Sequence, residues 1–89
     1  MTFSLVARDT ASGAFGIVIS SSSPAVAARC AHARAGVGVV ASQNVTNPAL
    51  GPATLDALAA GADADTALKD VLAQEKFPAY RQVTVVDVH

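Results

Sequence analysis

The 89-residue sequence predicts an α+β domain with helices layered on one face of a largely antiparallel sheet. Three observations carry that expectation. Two alternating segments flank a turn-forming stretch at the start, a Val-rich segment follows them, and two helix-patterned segments precede a last Val-rich strand. The predicted order is strand, strand, strand, helix, helix, strand.

Residues Thr2 to Arg8 alternate, with Phe3, Leu5 and Ala7 on one face and Thr2, Ser4, Val6 and Arg8 on the other, the period of a half-buried strand. Asp9-Thr10-Ala11-Ser12-Gly13 has turn chemistry, because Asp and Ser side chains bond nearby backbone and Gly accepts positive φ. In Ala14 to Ser21, Phe15, Ile17 and Ile19 alternate against Gly16, Val18 and Ser20, so the two segments read as an antiparallel hairpin. Pro24 to Arg34 admits two readings. Ser23 before Pro24 resembles a helix cap followed by Pro at the first helical position, while a wide extended connection competes. Gly36 to Ser42 is the third strand, with two glycines that let a backbone or a ligand approach closely. A polar loop from Ser42 to Pro48 is closed by Asn47-Pro48 and Gly51-Pro52.

The first helix has Pro52 near its start, a Leu55, Leu58, Ala59 stripe, and Gly61 as its stop. Asp63 caps the second, whose inward face is Ala64, Ala67, Leu68, Val71 and Leu72, and Phe77-Pro78 ends it. Arg81 to His89 forms the last strand, with Val83, Val85 and Val88 expected against packed surfaces.

Residues 1–89 read as a single domain that is the N-terminal part of a longer one, because no closing element follows the last hydrophobic strand. Of 46 hydrophobic residues, 20 are Ala and 12 are Val, which bury little area each. A core this thin is expected to need a second chain or a homo-oligomer. Six basic residues balance seven acidic ones with no run of either sign, which argues against nucleic acid as a partner. No apolar stretch approaches the roughly 18 residues that span a bilayer, so no membrane partner is expected. The single Cys30 and the lack of a signal segment place the chain in the cytoplasm. His32, His89 and Cys30 have no metal-ligand spacing, so no metal and no cofactor are expected. Cys30 reads as a small buried filler rather than a nucleophile paired with His32.

The start of the chain carries the chemistry. Thr2 follows Met1, and removal of that methionine would give the threonine a free α-amine with a pKa of about 7.7–8.0, able to act as base for its own hydroxyl. Ser20 to Ser23 end the second strand, beside the strand-one end bearing Arg8 or, across the sheet, near Ser42, Gln43 and Asn44 at the end of the third; their hydroxyls and amides suit an oxyanion or a substrate, though each singly suits turn formation and strand-end capping better. Arg8 and Arg34 are the side chains suited to a carboxylate.

The opening Thr2-Phe3-Ser4-Leu5-Val6-Ala7-Arg8-Asp9, the run Ala33-Arg34-Ala35-Gly36-Val37-Gly38 and the pair Asn47-Pro48 with Gly51-Pro52 resemble domain-of-unknown-function family ten twenty-eight, whose members are grouped with the N-terminal-nucleophile hydrolases. The resemblance covers essentially the whole chain. It implies a four-layer αββα sandwich, of which this chain supplies part, and hydrolysis of an amide-like C–N bond in a small-molecule substrate. It places Thr2 as the catalytic nucleophile, with Arg8, Ser21, Ser42, Gln43 and Asn44 near it as substrate-binding residues. Lys69 and Lys76 both fall on the second helix, so no lysine stands near the third strand, which argues against a proteasome-like mechanism. Family chains continue well beyond this length, and an autoproteolytic first subunit is one origin for such a piece. The competing reading is a non-catalytic oligomerising or ligand-binding module of the same fold.

Overall fold

A computed structural model describes residues 2–44 and 47–89 of the chain. Strand β1 (Thr2–Arg8) and strand β2 (Phe15–Ser21) form the expected hairpin, antiparallel in register from Thr2 opposite Ser21 to Arg8 opposite Phe15. The turn is built as its residues suggest. Asp9 accepts hydrogen bonds from the Ala11 N–H at 3.1 Å and the Ser12 hydroxyl at 2.7 Å, and Gly13 takes φ of 77°.

Neither reading of the ambiguous stretch holds as stated: Ser23 does not cap a helix beginning at Pro24, the N-cap being Val26 with no side-chain cap bond. A single helical turn, α1 (Ala27–Cys30), leads directly into a short strand, β3 (Ala31–Arg34), that the alternation of small residues does not reveal. Strand β4 (Gly38–Asn44) is the predicted third strand and extends two residues into what reads as loop. It pairs antiparallel with β3 on one side and with β5 (Arg81–Asp87) on the other, so the second sheet has the order β3-β4-β5.

Helix α2 (Leu50–Ala59) begins two residues before Pro52, which occupies its first turn where a missing N–H costs nothing. Leu55 and Leu58 are buried, whereas Ala59 is exposed and Thr54 takes the buried place, its hydroxyl donating to the Leu50 carbonyl at 2.7 Å. Asp63 caps α3 (Ala64–Ala73) by accepting from the Thr66 N–H at 2.8 Å, which lowers its pKa. Helix α3 stops before Phe77-Pro78, which instead opens a 3-10 turn (Pro78–Tyr80). Lys76 therefore lies past the helix, over the Phe77 ring.

The layers follow from the two faces of β4. Val40 packs with Leu55, Leu58 and Ala67, joined by Val83 and Val85 of β5, so this face carries the helices. Gly38 shares it, and a Cβ there would lie 2.8 Å from Leu58 Cδ1 and from the Val86 carbonyl oxygen. That glycine permits the helix to sit close on the sheet. Val39 and Ala41 point the other way and are equally buried, beneath the hairpin. The result is hairpin, three-stranded sheet and helices in three layers, an α+β arrangement in which the described residues supply one helical layer.

One expectation about facing is reversed, that for Val88, and the hairpin shows which of its own faces is covered. The larger apolar residues of β1, Phe3 and Leu5, are 66% and 64% exposed, and Val18 opposite Leu5 is 64% exposed. The inward face is the mixed one, with Thr2, Val6, Arg8, Phe15, Ile17, Ile19 and Ser21 half-buried. Val88, expected to pack, is 43% exposed because it lies beyond β5 and out of phase with Val83 and Val85.

Candidate functional site

The hydroxyl of Thr2 lies 2.8 Å from that of Ser21, its direct cross-strand partner, at the open end of the hairpin. The alternation of β1 turns both side chains to the sheet, where they are half-buried. Ser21 Oγ also accepts from the Ser23 N–H at 3.1 Å. Either hydroxyl can be the donor in the Thr2–Ser21 contact, because Ser21 Oγ keeps a second acceptor lone pair. The segment behind Ser21 bends sharply, with non-glycine Ala25 at φ of 51°.

Position along the sandwich separates the remaining candidates. Arg8 sits six residues along β1 from Thr2, about 20 Å at strand rise. Its guanidinium donates to the Val88 carbonyl, and it lines a cavity with Arg34 and Gly36 at the β3–β4 turn. The structure therefore does not bring Arg8 to Thr2. Strand β4 runs away from the β3–β4 turn, so its end where Gln43 pairs with Gln82 and Asn44 with Arg81 is the one remote from Arg8.

Ser42 and Gln43 are neighbours on β4 and face opposite ways. Ser42 shares the helix-facing side with Val40 and is fully buried, so it does not join Thr2, and its hydroxyl finds no hydrogen-bond partner among the described residues. Gln43 lies on the hairpin-facing side with Val39 and Ala41, 6% exposed, and its Oε1 likewise has no partner among the described residues. Asn44 ends the strand exposed, at φ of 75°, a conformation that asparagine tolerates. The polar loop that continues from it includes residues 45 and 46, outside the described residues, as is Met1.

Beyond that loop a buried group emerges that the sequence did not single out. Glu75 accepts from Asn47 Nδ2 at 2.9 Å, from the Phe77 N–H at 3.2 Å and from Arg81, whose Nη2 lies at 3.0 Å. The Asn47 bond, the Phe77 N–H and the Arg81 charge hold its carboxyl below the usual range. This cluster ties the loop after β4 to the start of β5, the strand that pairs with Asn44. No periodicity links positions 47, 75 and 81, and only the Asn-Pro breaker flagged one member.

His32 is placed structurally as well. Its ring covers Gly51 in the first turn of α2, where a Cβ would lie 2.2 Å from the ring, and its Nε2 is 3.2 Å from the Arg29 carbonyl oxygen. Cys30 is buried, as its reading as a filler requires. Among the described residues no three His, Cys, Asp or Glu side chains gather as a metal site, and no helix is long and apolar enough to cross a membrane.

The family model for DUF1028, described as a family of unknown function, matches residues 2–89. The chain belongs to that family. A crystal structure of a protein from Silicibacter pomeroyi, assigned to DUF1028, superposes with a TM-score of 0.92 at 30% identity. The match covers 98% of this chain and 39% of that one, so this DUF1028 chain spans about two fifths of its solved relative. No curated protein matches the chain.

Proposed function

We propose that this DUF1028 chain carries the nucleophile of an N-terminal-nucleophile-type amidohydrolase acting on a C–N bond of a small metabolite in the cytoplasm. In this reading it is the N-terminal part of a longer αββα domain or works with a second chain or a further copy. The observation that supports it is the 2.8 Å contact between the hydroxyls of Thr2 and Ser21 at an open strand end. With Met1 removed, the Thr2 amine takes the hydroxyl proton as Oγ1 bonds to the substrate carbonyl carbon. The protonated amine returns that proton to the leaving nitrogen as the C–N bond breaks, and water then cleaves the threonine ester. Ser21 orients Oγ1, and the Gln43 and Asn44 amides at the same end serve the substrate or its oxyanion.

The test combines intact mass with kinetics on a panel of small amides. Thr2→Ala should lower turnover by about three orders of magnitude or more with little change in melting temperature, while Thr2→Ser retains part of it. A purified protein that keeps Met1, or a Thr2→Ala variant with full turnover, overturns the mechanism. A non-catalytic ligand-binding role is the second reading, favoured by a two-arginine cavity at the opposite end of the hairpin.

A further inference from the structure

A buried acceptor without a donor stands on the hairpin-facing side of β4. Gln43 is 6% exposed, and its Oε1 has no hydrogen-bond partner among the described residues. Buried side-chain acceptors are usually paired, so this oxygen calls for a donor that the described residues do not supply.

The place of Gln43 in the sandwich points to that donor. Arg8 and the hairpin turn adjoin the β3–β4 turn and Val88. Strand β1 lies over β4 and β5 while β2 lies over β3 and β4, so the strands of the two layers run alongside one another. From that shared end, Thr2 is six residues back along β1, about 20 Å, and Gln43 is five residues on from Gly38 along β4, about 17 Å. The chain ties the same two ends together. Ser21, opposite Thr2, leads through α1 into β3, whose first residue Ala31 lies opposite Ala41. Layers packed about 10 Å apart set the inward side chains of Thr2 and Gln43 on facing surfaces.

The described side chains facing that space from β2, β4 and β5 are Ser21, Ala41, Gln43, Gln82 and Thr84, and none is charged. Arg81 alternates to the other side of β5, in its pair with Glu75. The Thr2 and Ser21 hydroxyls are engaged with each other. Loss of Met1 would add, at the head of β1, an amine with several N–H donors.

We infer, on the N-terminal-nucleophile reading, that Gln43 is a positioning residue for Thr2, its Oε1 accepting from the α-amine that removal of Met1 frees. That bond fixes the rotation of the amine so that its lone pair meets the Oγ1 proton, and it leaves the Gln43 Nε2 donors for the substrate.

Four full-length proteins test it: the parent and Gln43→Met, each released from a fusion cleaved just before Met1 or just before Thr2. With Met1 in place, Gln43→Met should leave the melting temperature unchanged or higher, because it removes an unpaired acceptor. With Thr2 first, the same substitution should lower the melting temperature by about 4 °C or more. It should also lower the pKa of the Thr2 amine, followed by NMR, because the ammonium loses an acceptor, while Gln43→Glu should raise that pKa above the parent's. Equal melting shifts in both backgrounds would overturn the assignment. So would a loss of about 4 °C or more, or a failure to fold, with Met1 in place, since Oε1 would then have a partner within the fold. An amine pKa indifferent to both substitutions would overturn it as well. None of these outcomes requires turnover, whereas full turnover by Thr2→Ala overturns the hydrolase reading and leaves this contact measurable.

Discussion

Strand β4 and the β1–β2 hairpin are both rich in apolar side chains, and the fold treats them in opposite ways. From Gly38 to Gln43 every residue of β4 is buried, because hairpin and helices cover its two faces and β3 and β5 flank its edges. The hairpin has one covered face, and the covered one is its more polar side, while Phe3, Leu5 and Val18 meet solvent. Apolar content alone therefore does not say which side of a strand is buried. What decides is where the single available sheet surface lies relative to the Thr2, Val6, Arg8 set, and a sheet apolar on both faces is a surface made to be covered twice.

The sharpest way to break this contrast is to truncate equivalent residues on either side of it. Leu55→Ala, in the cluster under β4, should cost about 2–5 kcal/mol and lower the melting temperature by roughly 10 °C or more. A loss below 1 kcal/mol would show that the helical layer is far less committed to β4 than its burial indicates. The Glu75 cluster at the other end of that sheet gives the next effect, one that depends on pH. Its carboxyl is held ionised below the ordinary value of 4.5 by Asn47, Phe77 and Arg81, so its contribution is complete at neutral pH. It declines as pH falls below that ordinary value and is gone beneath the lowered one. Thermal melts from neutral pH to about pH 3 should show Glu75→Gln less stable at the top and converging on the parent at the bottom. Parallel curves would remove the cluster from the account.

The smallest effect belongs to the hairpin. Leu5→Glu, on the exposed face, should change unfolding free energy by no more than about 0.5 kcal/mol in the isolated chain. Light scattering on the parent should give a mass above the 8.9 kDa of one chain, and Leu5→Glu should shift it toward that value. A parent that is monomeric and melts cooperatively would show that the outer face needs no cover.

Those outcomes bear on how far residues announce structure. The hairpin, the Asp9 turn, the Asp63 cap and the α3 stripe are legible because each is a local rule acting within a few residues. Strand β3 is not, since Ala31-His32-Ala33-Arg34 has little β preference and is extended only because β4 offers it an edge. The candidate site divides the same way. Thr2 and Ser21 are related by hairpin register alone, so their proximity can be counted off. Ser42 and Gln43 stand side by side in sequence and fall on opposite faces, while Arg8 is carried to the far end by the length of β1. Conversely, Arg8 and Arg34 come to line one cavity only after two sheets have stacked, and Glu75 finds Asn47 and Arg81 only after α3 has docked.

The ring of His32 over Gly51 has a consequence for how the sequence can drift. A side chain at position 51 would need the volume the imidazole already fills, and the imidazole has no reason to lie flat unless position 51 is bare. Position 51 cannot gain a side chain unless the imidazole at position 32 moves or shrinks. A library randomising position 51 alone should return glycine, and diversity there should open only when position 32 is varied in the same clone.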